Sequence, residues 1–161
     1  MTEVTIEAFE TAHRAWAQTQ LEGEIGSVEY AAHSVLYNLL EHPGYVALLD
    51  GQPGGLLIYH VDEDQFEVLL THSTVADESL GAALVKRAAE RARELFCERM
   101  WVVITNDNIP ALRFYQMQGF SLVKVHRNAV RRARKLKPDI PKKGLDGIPL
   151  RDEIELEMML V

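Results

Sequence analysis

Met100–Phe120 reads MWVVITNDNIPALRFYQMQGF, and the fold turns on how this stretch divides. Met100–Ile104 is a short run of apolar and β-branched residues, with the length and composition of a strand. Asn106-Asp107-Asn108 interrupts it with residue types that favour turns and helix N-caps, because their short side chains hydrogen-bond nearby backbone N–H groups. Pro110 suits a first helical turn, where its missing N–H would have no partner anyway. Ala111, Leu112, Phe114 and Tyr115 carry a short helix, and Gly119 supplies the left-handed residue that ends it. Phe120 opens the next apolar run. The unit is strand, capped helix, glycine stop, strand.

Working outward towards the N-terminus, Ser79–Glu98 is the clearest helix, with Leu80, Leu84, Ala88, Ala92, Leu95 and Phe96 on one stripe. A strand precedes it and Met100–Ile104 follows, so a parallel pair with a crossover helix is expected. Tyr45–Leu49, Leu56–Val61 and Phe66–Thr71 read as three strands of a meander, with turns at Asp50–Gly55 and Asp62–Asp64. Further back, Glu7–Gln20 and Val28–Glu41 carry apolar residues near helical spacing, the second ended by His42-Pro43-Gly44. Thr2–Ile6 reads either as a short edge strand or as the start of a helix. Beyond Phe120, SLVKVH is another strand, Arg127–Lys143 a basic helical segment, Gly144–Pro149 a turn region and Arg151–Leu160 a half-buried terminal strand.

The chain has 161 residues, 47% hydrophobic and 25% charged, a composition that suits one ordinary globular domain. No apolar run approaches the roughly 20 residues of a membrane span, and MTEVTIEAFE lacks the basic-then-apolar order of a secretion signal, so a cytoplasmic protein without membrane contacts is expected. A single cysteine, Cys97, excludes an internal disulfide and reads as a buried structural thiol. The six histidines show no spacing suited to a metal, so no metal is expected. The net charge of −7 hides an asymmetry: residues 124–143 hold nine Lys or Arg against the single acid Asp139. An acidic body with one basic segment argues against nucleic-acid binding and leaves room for a local anion site.

The series Asn108-x-x-Ala111-x-x-Phe114-Tyr115-x-x-x-Gly119-Phe120 resembles the second signature of the GNAT superfamily of N-acetyltransferases. The resemblance implies a single α/β (α+β) domain over residues 1–161, with a mixed, mostly antiparallel sheet flanked by helices and a basic insertion at about 127–149. It also implies transfer of an acetyl group from acetyl-CoA, the cosubstrate, to a small-molecule or peptide amine. A homodimer is left open. In that family the tyrosine at the position of Tyr115 often protonates the departing thiolate, and its plainer reading is a core aromatic. Glu67, on the strand before the crossover helix, is the candidate general base, and otherwise an exposed residue of an alternating strand. His72 is a second candidate base, or a capping residue at the strand end.

The strand-to-helix junction, where free N–H groups and the helix dipole favour an anion, is the expected pyrophosphate site. The residues expected to hold the cosubstrate are Ser73, Thr74, Ser79, Leu80, Gly81, Ala82, Asn108, Ala111 and Tyr115. In the family this junction resembles Arg/Gln-x-x-Gly-x-Gly/Ala, whereas this chain has Ala76-Asp77-Glu78-Ser79-Leu80-Gly81-Ala82. Only Gly81 matches cleanly. Asp77, Glu78 and Ser79 read more simply as a helix cap and first turn. The rival function is a non-catalytic GNAT-fold module that binds a partner through residues 124–143.

Overall fold

Asp50 and Gly51 both take positive φ, 49° and 83°, the backbone of the tight turns whose twist matches a hairpin. The chain therefore reverses in two residues rather than across the whole expected Asp50–Gly55 turn. Gln52–Asp62 is then one continuous strand, β5, paired antiparallel with β4 (Gly44–Leu49). The reason lies in the glycines. A Cβ at Gly55 would come within 3.1 Å of Leu84 and 3.2 Å of Ala47, and one at Gly54 within 3.3 Å of Leu80. The strand passes where only bare backbone fits beneath the helix that carries Leu80 and Leu84.

The computed structural model describes residues 3–76 and 78–160. Thr2, which begins the expected first strand, and Asp77 lie outside the described residues. The chain forms two compact units: one holds the residues through Val28, Asn38–Met100 and those from Met159, and the other holds Glu29–Tyr37 and Trp101–Met158.

In the first unit β1 (Val4–Ala8), β4, β5 and β6 (Gln65–Ser73) lie in that order, each antiparallel to the next. The helix α1 runs over Arg14–Ile25, later than the expected Glu7–Gln20. Glu10 and His13 exchange side-chain and backbone hydrogen bonds and hold a preceding 3-10 turn at Thr11–His13. The helix α2, Ser79–Glu94, buries Leu80, Leu84, Val85, Ala88 and Ala92 and packs on β4, β5 and β6. The chain leaves it through Phe96, at φ 59°, and Cys97 follows, buried as expected.

In the second unit β7 (Arg99–Thr105), β9 (Glu153–Met159) and β8 (Ser121–His126) lie in that order, with β8 and β9 antiparallel. The expected helix at Val28–Glu41 does not exist. Glu29–Ala32 and Val35–Asn38 are strands, β2 and β3, of a two-stranded sheet, followed by a 3-10 turn at Leu39–Glu41. His33 and Ser34 make its turn with φ of 38° and 67°, a conformation that costs a residue with a Cβ and persists only when neighbours enforce it. The helix α3 is Ile109–Met117, capped by Asn108, whose Oδ1 accepts the Ala111 N–H at 3.2 Å. Gly119, at φ 99°, follows it as expected. The basic segment contains α4, Ala129–Leu136, which buries Ala129, Val130 and Ala133 and packs on β2.

Candidate functional site

The first unit contributes a polar row on β6. A bulge separates the pairs Ile58↔Leu70 and Tyr59↔Val68, so Leu69 has no counterpart on β5. Beyond the bulge Glu67 pairs with His60. Glu67 is only 3% exposed, so the carboxylate is not the exposed group that simple alternation allows. The His60 ring meets His42 edge-on at 5.3 Å. Burial holds the His42 imidazole below its usual range and the neighbouring His60 adds to this, while Glu41 and Glu67 pull the other way. His42 and His60 were not read as functional from the sequence. Their only signal is the register that sets His60 opposite Glu67, and the bulge fixes that register.

His72, five residues further along β6, faces α1. Its Nε2 lies 3.0 Å from Gln20 Oε1 and its Nδ1 3.4 Å from Glu24 Oε2. Both ring nitrogens therefore face polar side chains of α1. Among the described residues no group of three or more His, Cys, Asp or Glu is arranged to hold a metal ion.

At the β6–α2 junction Glu78 occupies the N-cap position but makes no side-chain cap hydrogen bond. Leu80 and Gly81 are buried, so Leu80 offers a ligand its backbone alone. Thr74 turns into the sheet: its N–H and hydroxyl both donate to the Gly54 carbonyl, at 2.8 and 3.1 Å. The Ser73 hydroxyl closes a turn with Val75, donating to its carbonyl at 3.0 Å and accepting its N–H at 3.3 Å. These two side chains shape the loop. The junction's backbone, rather than its hydroxyls, is what an anion would meet.

The second unit contributes the α3 residues. Tyr115 is buried, with its ring edge-on to Phe114 at 5.1 Å and to Phe120 at 5.3 Å. Ala111 lies one turn earlier on the same helical face. Three consecutive polar residues fix the entry to this helix. Asn106 Oδ1 accepts the N–H groups of Arg151 and Asp152, each at 3.0 Å, and its Nδ2 donates to the Pro149 carbonyl at 2.9 Å. Asp107 accepts from Leu145 N at 2.9 Å and from the Thr105 hydroxyl. A Cβ on Gly144 would lie 2.0 Å from the Asp107 carboxylate. Asn108 caps α3.

Glu153 also belongs to this unit and escaped the sequence reading. It is 2% exposed, and its Oε1 accepts the His33 N–H at 3.0 Å. The His33 ring contacts Trp101 at 5.0 Å, and Tyr37 Oη lies 3.1 Å from its Nε2. Burial pushes the Glu153 carboxyl up, while the bond from His33 and the charges of His33, His126 and Arg132 act against that.

In the basic segment, Arg134 donates to three carbonyls, those of Ile140, Pro141 and Leu150, at 3.3, 2.7 and 3.2 Å. It ties the segment together, whereas Arg131 and Arg132 are exposed.

Comparison with known proteins agrees with this architecture. The family model of the acetyltransferase (GNAT) family matches residues 8–120. YxbD of Bacillus subtilis, itself uncharacterized, is 40% identical over 132 residues, covering 81% of this chain and 83% of that protein. A Bacillus subtilis acetyltransferase solved in complex with CoA is similar in structure, with a TM-score of 0.74 at 18% identity, covering 99% of this chain and all of that one. A GNAT family acetyltransferase from Elizabethkingia anophelis, with acetyl-CoA bound, gives 0.73 at 18% identity and 98% of both chains. This chain belongs to the GNAT acetyltransferase family. Its fold is the mixed α/β GNAT fold, with a largely antiparallel sheet and, among the described residues, four α-helices.

Proposed function

We propose that the protein transfers an acetyl group from acetyl-CoA to the amine of a small molecule or peptide. The observation that carries this reading is the junction at Glu78–Gly81, where the 16-residue helix α2 begins just after β6 with no cap bond from the Glu78 side chain. Its N–H groups and dipole suit a pyrophosphate. Family membership supports the same assignment, as do the CoA and acetyl-CoA held by two of the similar structures.

When bound, acetyl-CoA supplies an activated thioester. Each unit of the chain has its own share of the remaining work. In the first, the backbone of Ser79, Leu80, Gly81 and Ala82 holds the pyrophosphate, with Ser73 and Thr74 setting the loop. Glu67 takes the proton of the acceptor ammonium so that its lone pair can attack. We assign the base to Glu67 rather than His72, because Glu67 is buried beside His60 while the His72 ring is turned to Gln20 and Glu24 of α1. In the second unit Asn108 and Ala111 border the pantetheine arm, and the Tyr115 hydroxyl gives its proton to the departing sulfur. The N–C bond forms and the C–S bond breaks; nitrogen loses two protons, one to Glu67 before attack and one as the intermediate collapses, and sulfur gains one from Tyr115, which the second proton restores.

Titration with acetyl-CoA tests this reading. A ligand that binds only the folded chain raises its melting temperature, by about 2.7 kcal/mol of added stability at a hundredfold excess over Kd. Absence of a shift at millimolar acetyl-CoA, with calorimetry also silent, refutes it.

A further inference from the structure

Tyr59 and His60 are neighbours on β5 and so point to opposite faces of the sheet. His60 stands beside Glu67, while Tyr59 opens onto a separate cleft of about 320 Å³, lined from β1, β4, β5 and α2. Phe9 and Pro43 give the cleft apolar surface, Tyr45 and Tyr59 give it aromatic rings, and Arg87 and Arg91 reach it from α2. Among the described residues that line it, two are cations and none is an acid.

The rings are held rigidly. Tyr59 stacks on Phe66 at 4.3 Å and on Tyr45 at 5.9 Å, and both tyrosines are buried. The Arg87 guanidinium lies over the Tyr45 ring, 4.9 Å from its centre. Arg91 follows one helical turn later on the same face. Burial pushes the Tyr45 phenol up, with Arg87 acting the other way, so Tyr45 keeps its proton to donate at neutral pH. The two guanidinium groups are shared with acids of their own helix: Arg91 with Glu94 at 3.1 Å, Arg87 with Glu94 at 3.4 Å and with Glu90 at 3.9 Å. Such partly exposed pairs contribute little, and an incoming carboxylate can replace them.

We propose that this cleft binds a small aromatic carboxylate, its ring seated against Phe9, Pro43 and the edges of Tyr45 and Tyr59 and its carboxylate held by Arg87 and Arg91. Planar guanidinium groups suit a carboxylate in paired hydrogen bonds, and the apolar lining of Phe9 and Pro43 with the tyrosine edges suits a flat apolar body. The site lies on the sheet face away from Glu67 and is independent of the acetyl-transfer reading.

The test uses the full chain and benzoate in calorimetric titration, with benzamide and inorganic phosphate as controls. Benzoate is expected to bind saturably, and benzamide roughly tenfold more weakly or worse, because it lacks the charge that the arginines recognise. Arg87→Gln with Arg91→Gln is expected to weaken benzoate by about tenfold or more. Glu94→Gln removes the carboxylate that both guanidinium groups share, leaving Arg87 only its 3.9 Å pair with Glu90, and is expected to tighten it severalfold; since Glu94 is exposed, this variant reads out even if the double variant fails to fold. No saturable benzoate binding overturns the proposal, as does equal binding of benzamide. Phosphate as tight as benzoate overturns the aromatic seat, and unchanged benzoate affinity in Glu94→Gln overturns the arginine clamp.

Discussion

Replacing Asn106 by alanine removes three hydrogen bonds from one residue: those from Arg151 N and Asp152 N, and that to the Pro149 carbonyl. A neutral hydrogen bond contributes about 1 kcal/mol net, so their sum is about 3 kcal/mol. The bonds to Pro149 and Arg151 are at exposed positions, where water substitutes for part of the loss, and the expected cost falls to about 2 kcal/mol. In a urea titration with a slope of about 2 kcal/mol/M that is a midpoint lowered by about 1 M, with the slope unchanged. Asn106→Asp keeps the acceptor and loses the donor, so its midpoint should fall between the two. If Asn106 only favoured a turn, its loss would cost no more than about 0.5 kcal/mol, as at an ordinary surface position. A loss that small in the alanine variant refutes the clamp.

Tyr115→Phe should keep the fold and the acetyl-CoA affinity while lowering kcat by about 10²-fold or more, the scale of general acid–base catalysis; an unchanged kcat with a saturating acceptor assigns Tyr115 to packing. Arg134→Met should cost about 2 kcal/mol in chemical denaturation, through three carbonyl bonds lost, whereas Arg131→Met should stay within about 0.5 kcal/mol; equal effects contradict the tie. Burial lifts the native Glu153 carboxyl above its ordinary value of 4.5, so above that pH the native state holds more proton than the unfolded chain and stability drains away as the pH rises. Glu153→Gln retains an acceptor for His33 N–H and does not titrate, so it should gain on the wild type from pH 4.5 upward; a difference that is flat with pH in paired denaturation series rules this out.

Local chemistry made much of the fold legible. The strand–cap–helix–glycine order of Met100–Phe120 and the Asn108 cap were visible because each depends on residues a few positions apart. The Val28–Glu41 hairpin was not. Ala31, Val35 and Leu39 keep a spacing of four that suits a helix, and the turn at His33-Ser34 carries no glycine. What stabilises that turn is the Glu153 carboxylate, 120 residues away. Asn106 and Asp107 were read as turn formers, although their partners at 145–152 lie beyond any local pattern. The surroundings of the candidate residues were less readable. Glu67 was named as a candidate base from its place on the strand, but its burial and its pairing with His60 depend on a bulge. Thr74 passed for a ligand-facing hydroxyl because nothing nearby shows that Gly54 receives it.

The β8–β9 register gives the basic segment a further meaning. His126 and Glu153 are the last paired residues of the two strands, so the chain between them departs and comes back at a single rung of the ladder. Its ends are also stitched directly, Asn128 N to Asp152 Oδ1 and Val130 N to Arg151 O, both at 2.9 Å. Strand register is indifferent to the length of an excursion of this kind, and the entropy of closing a longer one grows only with the logarithm of its length. This rung is therefore a cassette position, where evolution or an engineer can exchange a two-residue turn for a helical module while β8 and β9 keep their alignment. What the present cassette adds is the cover that Val130 and Ala133 lay over β2.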